Sequence, residues 1–279
     1  MKETIMSLFR QAGLSAYAEP FADLIRPSIR MYTEAAGEGE LPVGTSRIGG
    51  IPDLPPDWSW PYRRDYPLSF IAQINLAELP PVAHESLPQQ GILYFFYAAA
   101  AMYDDPDFYG DKDTAKVLYY SGDLADLSPR PEPPELHDYE MAVFSPCTLT
   151  YQVEWTVPPS ESADIERLGM SWNINCEDYK RYWDLFLREH ERLCIGPDDM
   201  KHRLLGHPDP IQGDMQKDAA RIARGTKDGT AWRLLLQIDS EEEKTGMMWG
   251  DVGRIYFWIE KEALRNCDFT HVVCLEQCG

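Results

Sequence analysis

The chain has 279 residues, 44% of them hydrophobic and 12% aromatic, which is enough to bury a core without disulfide or metal staples and excludes wholesale disorder. Its 46 acidic residues outnumber 26 basic ones, for a net charge of −20. Such a field repels phosphate backbones and anionic bilayers, so nucleic acid and membrane surfaces are excluded as partners and a basic protein or a cation is favoured; the bland alternative is that the charge serves solubility.

The first residues, with Lys2, Glu3 and Arg10 around short apolar stretches, do not read as a secretory signal, and no run of 18 apolar residues occurs. The expected location is the cytoplasm. The six cysteines then read as reduced, structural thiols. Cys267, His271, Cys274 and Cys278 have neither finger nor ribbon spacing, and 271–275 reads as a buried strand, so no metal site is expected.

In chain order, Ile5, Leu8 and Phe9, then Phe21, Leu24, Ile25 and Ile29, predict short helices over 1–40. A Gly/Pro-rich loop, 41–67, leads into strands at Leu68–Leu76, Gly91–Tyr97 and Lys116–Ser121. A Pro-rich run, Pro129–Pro134, opens a connector (128–200). Its helix, Glu177–Cys194, is capped by Asn175 and has one apolar face holding Tyr179, Tyr182, Trp183, Phe186, Leu187 and Leu193. A shorter helix, Met215–Ala223, follows Asp214.

Features of 41–127 return in 201–279. Arg47-Ile48-Gly49-Gly50-Ile51-Pro52-Asp53 matches Arg203-Leu204-Leu205-Gly206-His207-Pro208-Asp209, and Phe70–Asn75 matches Leu234–Asp239. Gly91–Phe96 matches Gly253–Trp258, and Ala115–Tyr119 matches Thr270–Cys274 loosely, all about 160 positions apart. The expected fold is therefore α+β: an internally duplicated, strand-rich unit of two halves about a pseudo-twofold, with N-terminal and connecting helices.

Several of these residues carry a family likeness. Ser46–Pro52, Trp58-Ser59-Trp60-Pro61, Phe70–Leu76, Gly206-His207-Pro208, Ile211–Asp214, Leu236–Asp239 and Trp249–Gly253 together resemble the YwqG-like family of bacterial proteins, a domain of unknown function, over about residues 40–279. The resemblance implies an α+β, duplicated bacterial protein and no catalytic residues. It also implies a setting near toxin genes, which points to a toxin-neutralising role.

Four polar residues are the sharpest candidates. Gln73 and Asn75 share one face of their strand, and Gln237 and Asp239 the equivalent face of theirs. Either the four line a cleft between the halves, or each pair ties down its own Gly/Pro-rich loop. Trp58, Trp60, Trp249 and Asp251 lie in loops, where the indoles either present a binding surface or cover the end of a sheet.

The stretch 104–113 begins like a calcium loop but has Tyr109 and Lys116 at its fifth and twelfth positions, so a solvated acidic loop is expected, with an irregular cation site as the alternative. Glu241-Glu242-Glu243 reads as a charged surface turn, and His207 as a loop hydrogen-bonding residue. No nucleophile elbow, P-loop, dinucleotide fingerprint or HExxH helix occurs, so neither catalysis nor a cofactor is expected. The expected function is that of a non-enzymatic binding protein recognising a basic protein such as a toxin domain. The alternative is a small polar-ligand binder or enzyme using the cleft.

Overall fold

Residues 26–35 alternate rather than repeat helically: Ile29 and Met31 face the core while Ser28 and Arg30 face the other way. In a computed structural model, which describes residues 1–37, 41–102, 105, 108–194, 200–224 and 228–279, this stretch is a ten-residue strand. It is β1 (Arg26–Ala35) of one ten-stranded sheet, whose other strands are β2 (Arg47–Ile48), β3 (Ser69–Asn75), β4 (Ile92–Tyr97), β5 (Ala115–Tyr120), β6 (Cys147–Thr156), β7 (Arg203–Leu204), β8 (Trp232–Asp239), β9 (Arg254–Glu260) and β10 (Val272–Gln277). The order is β10-β9-β8-β7-β1-β6-β2-β3-β4-β5, and neighbours are antiparallel throughout.

The sheet rolls into a nearly closed barrel. Phe95 of β4 and Phe257 of β9, near opposite ends of the strand order, meet edge to face at 5.2 Å, and the edge strands β5 and β10 approach each other. The interior is apolar, with Ile29, Ile48, Ile74, Leu93, Leu236 and Ile255 among its buried residues.

This overturns the expected α+β class of two duplicated halves: the protein is mostly β, built on one continuous sheet. At its centre β1 and β6 pair over ten positions, Arg26 opposite Thr156 through Ala35 opposite Cys147. Both strands come from segments read as helical or connecting. Ile25 and Ile29 mimic a helical repeat by coincidence, whereas Ile29, Met31 and Thr33 share one strand face, and strand alternation is decisive once neighbours supply hydrogen bonds on both sides.

Helices cover the outside. Among them α1 (Lys2–Gln11) and α2 (Ala18–Ala22) stack Phe9 on Phe21 at 3.8 Å against a longer helix, α3, which runs as Cys176–Lys180, a π-helical stretch Arg181–Leu187 and Arg188–Glu191. Asn175 caps α3 as expected, its side chain accepting from the Asp178 amide at 3.2 Å. The expected buried face is corrected: Tyr179, Tyr182 and Phe186 are buried, but Trp183 is 49% exposed and Leu193 is exposed as well. A π-helical turn is wider than 3.6 residues, so side chains past Lys180 are rotated from their α-helical positions. Asp214 accepts from the Gln216 amide at 3.1 Å and starts α4 (Gln216–Arg224), whose Ala219 and Ala220 pack on Trp232, Tyr256 and Trp258.

Two of the matched sequence segments hold loops of one design. Gly49 and Gly50 have φ of +66° and +73°, and Leu205 and Gly206 have +63° and +78°. A Cβ at Gly49 would lie 2.3 Å from the Ser145 carbonyl oxygen. Gly49→Ala is therefore expected to cost more than the roughly 1–2 kcal/mol of a left-handed backbone alone, read as a lowered urea midpoint with an unchanged slope.

Candidate functional site

The polar pairs do not meet. Gln73 on β3 and Gln237 on β8 are separated by four strands, about 24 Å along the sheet. Each is committed to its own loop. Gln73 accepts from the Asp53 amide at 2.8 Å and donates to the Thr45 carbonyl at 3.0 Å and Asp53 Oδ2 at 2.9 Å. Gln237 accepts from the Asp209 amide at 2.9 Å and donates to the Lys201 carbonyl at 2.6 Å and Asp209 Oδ2 at 3.2 Å.

The rest of the scheme also recurs. Arg47 and Arg203 each reach the loop aspartate at 2.7 Å, and the hydroxyls of Tyr94 and Tyr256 donate to the Asp53 and Asp209 carbonyls at 2.6 and 2.7 Å. Beside them, Asn75 donates to the Gly44 carbonyl at 2.9 Å, while Asp239 accepts from the Lys201 amide and from Arg254 Nε, both at 2.9 Å. Buried polar groups need partners, and loop backbone supplies them.

The loop tryptophans are packed rather than offered. Trp58 lies edge-on to Tyr94 and Tyr120 at 5.9 Å, and Trp60 donates to the Leu68 carbonyl at 2.8 Å with its ring on Phe96. Trp249 is buried between Tyr97 and Phe144. Asp251 is exposed, and its carbonyl accepts from the Gly279 amide at 3.0 Å. In the acidic stretch, 104, 106 and 107 lie outside the described residues. Asp105 and Asp111 pair with the buried Arg63 at 2.6 and 2.8 Å, so these two carboxylates serve as counterions, while Tyr109, Gly110, Lys112 and Asp113 are exposed.

Glu241 corrects the surface-turn reading of 241–243. It is buried, accepts from Thr33 at 2.6 Å, pairs with Lys244 at 2.8 Å and takes a hydrogen bond from His202 Nε2 at 3.2 Å. The Asp239 amide donates to His202 Nδ1, which places the imidazole proton on Nε2. Burial alone would raise Glu241, but these donors outweigh it and bring its pKa down to about 2. His207, as expected, is a loop residue: its ring bonds to the Leu24 carbonyl at 2.7 Å, and burial beside Arg26 pushes its pKa well down.

The Cys194 sulfur lies 3.9 Å from both ring nitrogens of His190. Burial pushes that thiol up to about 11 and the imidazole down, the reverse of an activated nucleophile and base. Among the described residues no group of His, Cys, Asp and Glu is placed to hold a metal, and no helix is long and apolar enough to cross a membrane.

What does face outward is an aromatic ridge that sequence reasoning missed. Trp172 and Trp183 are 58% and 49% exposed, whereas Trp232, Trp249 and Trp258 are buried. Tyr179 bridges them, with ring centroids 6.1 Å from Trp172 and 6.4 Å from Trp183. Ile174 and Leu185 are exposed nearby, and the three rings border a concavity of about 430 Å³ with Pro159, Pro210 and Ile211. The arginines of α3 are already paired within it, Arg181 with Asp178 and Arg188 with Asp184 at 3.0 Å, and Arg192 just beyond with Glu189 at 2.6 Å. The available signal was the width of the apolar face on α3, broader than one buried stripe can hold.

Fold and site define the class: a mostly β, barrel-like protein whose buried polar groups hold its own loops and whose exposed Trp172 and Trp183 flank Tyr179 in one ridge. The chain belongs to the family described as Domain of unknown function (DUF1963), whose pattern matches residues 46–278. No curated protein matches it.

Proposed function

We propose that this chain is a non-enzymatic, YwqG-like bacterial binding protein that recognises a basic protein partner, such as a toxin domain, and docks it on the ridge of Trp172, Tyr179 and Trp183. The observation that carries the reading is the exposure of two neighbouring tryptophans beside a concavity. Indoles give large contact area at low entropic cost and dominate binding energy where they are desolvated by a partner. The net charge of −20 selects for a basic surface, and the internally paired arginines of α3 leave little local repulsion against one.

Capture from cell extract at low and moderate salt tests it. The full chain is expected to retain a basic protein that is released as salt rises, and the Trp172→Ala/Trp183→Ala variant to lose at least tenfold in retention at an unchanged melting temperature. Equal retention by both chains, or a partner indifferent to salt, would overturn the proposal.

A further inference from the structure

One end of the barrel opens into a cavity of about 520 Å³, walled by the start of β1, the turn after β7, the first residues of β8, the helix Lys261–Arg265 and the turn Pro81–Glu85. The wall is basic in an acidic chain: Arg26, Arg233, Lys261 and Arg265 line it against one carboxylate, Glu85, with His84 beside it. Two further acids lie behind these cations. Asp164 pairs with Arg26 at 3.2 Å, and Glu262 with Arg265 at 2.7 Å.

Arg233 is held by neutral carbonyls alone. Its Nη1 donates to the Thr230 and Trp232 carbonyls at 2.9 Å, and it has no ion pair among the described residues. Burial lowers its pKa, Asp164 opposes the fall, and Arg265 and Arg167 deepen it. Burial and the neighbouring Arg233 bring Arg26 down to about 10 despite Asp164. Gathering guanidinium groups where they repel one another works against folding, and such an arrangement is what an anion receptor requires before its ligand arrives.

We infer that this cavity binds the phosphate group of a small phosphorylated metabolite. Three guanidinium forks and an ammonium suit the three oxygens of a dianionic phosphate better than the two of a carboxylate. The volume suits a molecule of sugar-phosphate size, and Val82, Leu87 and Leu264 offer an apolar wall for its uncharged part.

Calorimetric titration of the full chain with inorganic phosphate, glucose 6-phosphate and glucose tests the inference. Both phosphates are expected to bind saturably and to raise the melting temperature, and glucose to do neither. Arg233→Gln is expected to weaken both phosphates at least tenfold while the ligand-free melting temperature stays level or rises, since a repelled cation is removed. If that variant does not fold, the exposed Lys261→Gln/Arg265→Gln pair supplies the same comparison. No saturable binding of either phosphate, undiminished binding in the folded variants, or equal competition by malonate would overturn it.

Discussion

Asp53→Ala is expected to lower the melting temperature by about 10 °C. Asp53 is fully buried, and its Oδ2 accepts from Arg47 at 2.7 Å, Gln73 at 2.9 Å and the Gly44 amide at 2.8 Å. Truncation would strand a buried guanidinium and two further donors, and breaking a buried ion pair in this way costs about 3–5 kcal/mol, with a melting shift of about 2–4 °C per kcal/mol in a domain near this size. Asp209→Ala removes the equivalent carboxylate from the second loop, but the Asp209 side chain is 27% exposed and water can replace part of what is lost. Its penalty should therefore be distinctly smaller. Equal melting shifts for the two variants in calorimetry would show that burial does not set the strength of these anchors.

Glu241→Gln should lower stability at neutral pH and flatten the acid limb of the stability profile. Glu241 joins β1 through Thr33, the residue before β7 through His202, and its own helical turn through Lys244. Its folded pKa of about 2 lies below the ordinary value of 4.5, so the unfolded chain binds the proton more readily. The stabilisation is complete above pH 4.5 and disappears as pH falls through about 2; a shift of this size corresponds to about 3 kcal/mol. Glutamine would also set an amide donor against donors already aimed at the carboxylate. Urea midpoints of both chains between pH 7 and pH 2 provide the measurement, and parallel curves would refute the role.

Much of the local structure was legible. The strands around Ile74, Leu93 and Val117 announce themselves as short apolar runs between turn signals, and Asn175 and Asp214 cap helices where capping chemistry places them. The matched Arg, Gln and Asp positions also pointed to two similar loops. Choosing between a shared cleft and two separate anchors depended on where β3 and β8 lie in the sheet, which no strand encodes alone.

The misreadings share that origin. Helical spacing at Ile25 and Ile29 outweighed the alternation of β1 because the pairing of β1 with β6 spans more than a hundred residues of intervening chain. An ideal helical turn directs Trp183 inward, whereas the chain forms a wider turn there and carries it outward. Glu241 has the sequence surroundings of a surface acid, but Thr33 and His202, remote in sequence, close over it.

Composition, charge, caps and strand patterning determined by themselves that the chain folds around an apolar core, carries a strongly negative field and repeats a set of Arg, Gln and Asp positions beside two Gly/Pro-rich loops. Only the tertiary structure decided that the strands form one rolled sheet, that the expected polar residues are committed to those loops, and that Trp172 and Trp183 face outward. The reason is physical: a side chain's hydrogen-bonding capacity is a local property, whereas its burial and its partners depend on what the rest of the chain brings to it.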